Sequence, residues 1–181
     1  MTRVVLVFGL IGGLIISALV WTTAALAERD AIKFEMLEVV GYASMIIALT
    51  MVFFGIKSYR DNVGQGKISF WRGVQVGFMI SLISAVLYWA GAWSYGFVSP
   101  NFQDTFMKKF AELKITKLTE QGASQDQIDS AKAEVEMMRN LFKNPALFFL
   151  VCMIEMLPVG LAVTLISAGL LRRKELLSAA L

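Results

Sequence analysis

The 181-residue chain has no histidine, one cysteine and three prolines, and only 17% of it is charged. Lacking histidine, it lacks the usual general base and the commonest metal ligand, so neither a metal site nor a cofactor is expected. The single cysteine, Cys152, excludes an intrachain disulfide. No serine or cysteine stands beside a plausible base, so no catalytic residue can be named and an enzyme is not expected. Ten methionines are scattered through apolar segments and read as packing, since a copper site would bring histidine or clustered methionine. The scarcity of charge is the most informative of these deficits. A soluble domain carries about 25% charged and about 45–50% apolar residues. This chain is 57% hydrophobic with a mean hydropathy of +0.65.

What the sequence does have is long apolar runs. Residues 4–27, 39–56 and 74–98 contain no charge, and residues 146–171 contain one, Glu155. A bilayer core takes about 20 apolar residues in helix at about 1.5 Å each. Four transmembrane helices are therefore predicted, over about 4–27, 36–57, 73–98 and 146–171, in an all-α membrane protein forming one domain over 1–181. The first resembles a secretory signal, with Arg3, an apolar run and Ala25-Leu26-Ala27 before Glu28. Signal cores span only about 7–15 residues, and this run is longer and reaches Trp21, which favours a retained helix. Gly9, Gly13 and Ser17 form a small-residue stripe along it; Gly73, Gly77 and Ser81, then Gly160, Thr164 and Ala168, form two more. Self-association through such stripes is possible, and a homo-oligomer is one expected partner state.

Between the last two spans, residues 101–143 predict an extramembrane helical hairpin. Asn101 is the expected cap of its first helix, which carries Phe102, Phe106, Phe110 and Leu113 on one face. Gly122 ends that helix. Ser124 and Gln127 begin the second with a capping box, and Ile128, Ala131, Val135, Met138 and Leu141 give its seam. Asn144-Pro145 opens the last span. The hairpin is the expected docking surface for a membrane or periplasmic protein partner.

Charge placement sets the expected topology. Arg3, then Lys57, Arg60, Lys67 and Arg72 in a basic loop, then Arg172, Arg173 and Lys174 lie at one side. The hairpin's seven basic residues sit mostly far from the span ends. The positive-inside rule then puts both termini and the basic loop in the cytoplasm. Those basic residues read chiefly as an anchor for the lipid bilayer, at about 1 kcal/mol each near an anionic surface. Gly66-Lys67 does not make a phosphate loop, because Ile68 follows where a magnesium-binding hydroxyl belongs. The net charge of +3 is small and confined to segment ends, and no nucleic-acid partner is expected.

Glu155 is the sharpest feature. It lies about 13 Å into the last span by helix rise. An ionised acid at the bilayer centre costs around 2.5–3.5 kcal/mol, less if it is protonated or hydrogen-bonded inside the bundle. No lysine or arginine lies at that depth, whereas Trp89 and Tyr88 on the third span do, and Tyr42 stands one turn from Glu38 on the second. Glu38, Tyr42, Tyr88, Trp89 and Glu155 are thus the expected intramembrane polar cluster, with Pro158 bending the helix one turn deeper. The cluster serves either as packing glue, at about 0.6–2 kcal/mol, or as a proton or cation site on a transport route.

The stretches "LEVVGYASMIIALTMVFFGIKSYRDNVGQGKISF" (37–70) and "KNPALFFLVCMIEMLPVGLAVTLISAGLLRRK" (143–174) resemble the bacterial domain of unknown function (DUF) 4199 membrane proteins. The likeness spans nearly the whole chain and rests on E-x-x-G-Y, G-I-K-x-Y-R-D, G-K-I-S-F, N-P and E-x-x-P-V-G. It would mark Glu38, Gly41, Tyr42, Lys57, Tyr59, Arg60, Asp61, Asn144, Pro145, Glu155 and Pro158. It implies a small multi-pass bacterial inner-membrane protein and supplies no activity. The function expected is a non-enzymatic interaction or assembly role through the hairpin; the alternative is proton- or solute-coupled transport around Glu155.

Overall fold

The computed structural model describes residues 1–172, so Arg173 and Lys174 of the basic tail lie outside the described residues. The described chain is all-helical: α1 (Thr2–Glu28), a 3-10 turn (Phe34–Met36), α2 (Leu37–Asn62), α3 (Phe70–Val98), α4 (Phe102–Glu120), α5 (Gln125–Lys143) and α6 (Pro145–Leu171). Four of these, α1, α2 with the 3-10 turn, α3 and α6, are long and apolar enough to cross a membrane.

The small-residue stripes decide how the spans meet. Cβ atoms built on Gly9 and Gly13 would fall 2.8 Å from Ile83 and 2.3 Å from Leu87, and one on Gly91 would fall 2.6 Å from Ser17. Both partners climb together, so α1 and α3 run parallel at backbone-to-backbone range. The close approach lets α1 hydroxyls and the indole of Trp21 reach α3: Ser17 Oγ donates to the Leu87 carbonyl at 2.9 Å and Trp21 Nε1 to the Gly91 carbonyl at 2.9 Å. Ser84 Oγ returns a bond to the Gly9 carbonyl at 3.2 Å. On another face of α3 the order reverses. Gly73 meets Ala168, Gly77 meets Thr164, and Gly160 meets Ser81, so α3 and α6 are antiparallel. With α1 and α3 up and α2 and α6 down, the first and last described residues share one end of the bundle. Around α3 lies a core of Val52, Ile56, Val76, Ile80 and Met156, all with no accessible surface. The apolar residues left exposed, such as Ile154 and Leu170 (each 74%), are those a bilayer would cover.

Two sequence expectations need correction. The basic loop is shorter than expected, because α2 continues to Asn62. Lys57 and Arg60 therefore ride on its last turns, Arg72 on the first turn of α3, and only Lys67 sits in the loop. The physical reason is that Lys, Tyr and Arg tolerate helix and that cations favour a helix C-terminus. Asn101 makes no side-chain cap, having helical backbone angles itself (φ −88°, ψ −4°). The capping box of Ser124 and Gln127 is formed, and Asn144 Oδ1 accepts from the N–H groups of Ala146 and Leu147 at 2.9 and 3.2 Å.

α4 and α5 pack on each other at the far end of the bundle from the described termini. Between them Gly122 takes φ +73°, a left-handed conformation in which Ala123 N–H reaches the Leu118 carbonyl at 3.0 Å. Lys114 pairs with Glu134 at 2.6 Å across the two helices. α4 is tied to the bundle by the Lys109–Asp30 ion pair and by aromatic rings. Phe106 meets Phe34 with centroids 5.0 Å apart, and Phe102 meets Tyr95 at 4.9 Å.

Candidate functional site

Glu38, Tyr42, Tyr88 and Glu155 gather at the α4–α5 end of the spans. Beyond Ser81 and Gly160 the antiparallel α3–α6 pairing continues, and Tyr88, seven residues on, reaches Glu155, five residues back. Tyr88 Oη donates to Glu155 Oε2 at 2.9 Å. Pro158, one turn away, lies within a helix that runs unbroken from Pro145 to Leu171. Trp89 is different: its Nε1 donates to the Pro145 carbonyl at 3.2 Å, and its ring packs edge-on against Phe149. Successive helical residues point about 100° apart, so Tyr88 and Trp89 cannot both face Glu155.

Glu155 and Tyr88 form part of the wall of a cavity of about 590 Å³. Glu38 and Tyr42 line it from the start of α2, together with Gly41 between them and Glu35 just before. The sequence E-x-x-G-Y thus contributes all three of its specified residues to one cavity. Tyr95 and Gly96 of α3 and Ala24 and Ala27 of α1 complete the lower wall. Above it, the apolar face of α4, with Phe102, Phe106, Phe110 and Leu113, forms a roof, joined by Met138 and Phe142 of α5. The apolar face predicted for α4 is therefore directed at this space, whereas of the seam predicted for α5 only Met138 reaches it. Toward the opposite end the cavity gives way to the fully buried core of Leu49, Val52, Ile80 and Met156. Lys57, Arg60, Lys67 and Arg72 belong to that opposite end, where Arg60 Nε meets Asp61 Oδ1 at 2.7 Å.

Several members of the site escaped sequence reasoning. Tyr95 is 5% exposed and donates to Glu28 Oε2 at 2.8 Å. Ser99 Oγ donates to the other oxygen of the same carboxylate, so Glu28 joins α1 to the end of α3. The signal available was an acid immediately after the first apolar run, facing a tyrosine at the end of the third. Gly96 was also missed, and Gly41 was marked by the family resemblance alone. Cβ atoms built on most glycines of the spans would strike a neighbouring helix, but at Gly41 and Gly96 nothing lies within 4 Å. Among the helical glycines described, only Gly169, near the end of α6, shares that freedom.

The arrangement offers one carboxylate held by a tyrosine, two more carboxylates near the α2 start, and a partly open cavity with a predominantly apolar, aromatic lining. It is suited to holding a molecule. Neither a curated protein nor a solved structure matches the chain. One family model does, described as "Protein of unknown function (DUF4199)", over residues 7–173. The chain belongs to the DUF4199 family.

Proposed function

We propose that this is a non-enzymatic binding protein of the bacterial inner membrane that holds a small molecule in the cavity beneath α4 and α5. The observation that carries this reading is the partly open cavity itself. Its volume of about 590 Å³ falls within the roughly 300–1,000 Å³ of ligand pockets, and its wall mixes apolar surface with a few polar groups, as such pockets do. The packed core beyond it favours capture over passage, so transport ranks below binding. An interaction role keeps some support from the exposed charged residues of α5, Asp126, Asp129, Lys132 and Glu136, which would face a partner.

Gly96→Leu tests the reading. The new side chain enters open space, and a helix-interior glycine is about 0.5–1 kcal/mol less favourable than alanine. The variant is therefore expected to be at least as stable thermally as the wild type, yet to lose any lipid or small molecule that native mass spectrometry finds on the purified protein. If Gly96→Leu keeps the same bound mass, the cavity is not the binding site.

The proposed orientation places both termini and the Lys67 loop in the cytoplasm, with α4 and α5 as a hairpin on the periplasmic face. Support comes from Arg3, Lys57, Arg60, Lys67, Arg72 and Arg172, which collect at the end of the bundle opposite the cavity. A periplasmically active phosphatase fused after Gly122 is expected to be active, and one fused after Gln65 inactive. The reverse pattern inverts the assignment.

A further inference from the structure

The lining of the cavity is selective in charge. Its ionisable groups are Glu35, Glu38 and Glu155 against one cation, Lys117, alongside tyrosines 42, 88 and 95. Glu38 sits in the first turn of α2, where the helix dipole favours an acid whatever else is present. Glu155 has no such support. It sits in the middle of α6, and its one hydrogen bond among the described residues uses Oε2, leaving Oε1 facing no protein donor. No lysine or arginine of the spans pairs with it. The space around these carboxylates is walled by aromatic rings and aliphatic side chains. Rings attract cations through their faces, and a carboxylate on the wall of a largely apolar, partly open cavity is best matched by a positive charge that brings its own apolar surface.

We infer that the ligand is a lipophilic cation, a molecule with a hydrocarbon or aromatic body and a single positive charge seated against Glu155. The inference rests on the binding role proposed above and adds the chemical class. The apolar body occupies the space under Phe102, Phe106 and Phe110, and the charge lies toward Glu155 and Glu38. An anionic or zwitterionic lipid would bring a phosphate against the same carboxylates, and like charges set side by side repel.

Two ions of nearly the same size and shape but opposite charge separate the possibilities. The full-length protein in lipid nanodiscs is titrated with tetraphenylphosphonium and, separately, with tetraphenylborate, each corrected for uptake by empty nanodiscs. The expected result is saturable binding of the cation alone. Glu155→Gln should weaken it about tenfold or more, the loss of one charge-assisted contact, and Gly96→Leu should abolish it. Equal binding of both ions that Gly96→Leu removes overturns the charge selectivity while leaving the binding role standing. Cation binding that survives Gly96→Leu and Gly41→Leu overturns both, because the site is then elsewhere. Full affinity in Glu155→Gln, or no saturable uptake of either ion, overturns the inference; the binding role is then decided by the mass-spectrometric comparison.

Discussion

Gly13→Ala is expected to destabilise the bundle by about 1–3 kcal/mol, the range for forcing extra volume into a packed core. A Cβ at this position would lie 2.3 Å from Leu87 Cδ1 and 2.6 Å from Leu87 Cβ. The first contact could be relieved by a rotamer change; the second cannot, because Cβ is fixed to the backbone of α3. The two helices must therefore part, and parting stretches the bonds from Ser17 to the Leu87 carbonyl and from Ser84 to the Gly9 carbonyl. Thermal or denaturant unfolding in detergent checks the result, with a second change to test its cause. Leu87→Ala in the same chain removes the 2.3 Å clash but keeps the 2.6 Å one, so it should restore only part of the loss. Leu87→Gly should restore more. Wild-type stability in Gly13→Ala alone would mean that α1 and α3 do not meet in this register.

Thr164→Val has the opposite expected sign. Thr164 has no accessible surface, and its hydroxyl finds no hydrogen-bond partner among the described residues. Ser81, across the same interface, donates to the Gly77 carbonyl at 3.0 Å and is satisfied. A buried hydroxyl without a partner costs about 1–3 kcal/mol, and valine has nearly the same shape without the polar atom. The variant should therefore gain stability of that order, measured in the same assay. Gly77 constrains the alternatives, because a Cβ there would lie 2.7 Å from Thr164 Cγ2, so larger replacements at 164 have no room. A loss of stability in Thr164→Val would show that the hydroxyl does find an acceptor, most simply on its own helix.

The parts of the fold visible in the sequence were those written in runs and in spacings. Three uncharged stretches and a fourth with the single charge of Glu155 marked the four spans, and Ser124 with Gln127 marked the start of α5. The small-residue stripes could be seen on α1, α3 and α6, but not which helix each would meet. A stripe specifies close approach, and only the folded chain fixes the partner: Gly9 and Gly13 on Ile83 and Leu87, Gly77 on Thr164. The site was legible in the same limited way. Glu155, Tyr88, Glu38 and Tyr42 stood out as polar groups at related depths. Trp89 was drawn in by depth alone, which ignores the rotation from one helical residue to the next. The apolar face of α4 could be read, but not that it roofs a cavity, nor that Gly41 and Gly96 border open space. A phenylalanine facing a void and one facing a core look alike, and so do a glycine that admits a helix and one that borders empty space. The basic loop was misdrawn for a related reason, because α2 does not stop where hydrophobicity stops.

The parallel pairing of α1 with α3 bears on how the chain matures. Gly9 and Ser84, which bond across that interface, are 75 positions apart. At about 5–20 residues per second, the partner of α1 emerges from the ribosome roughly 4–15 s after it. During that interval the grooved side of α1 must rest against acyl chains or the insertion machinery. The first hairpin delivered to the bilayer, α1 with α2, is therefore provisional. Its final seating waits for α3, and that of α3 waits for α6, which trails behind the whole of α4 and α5.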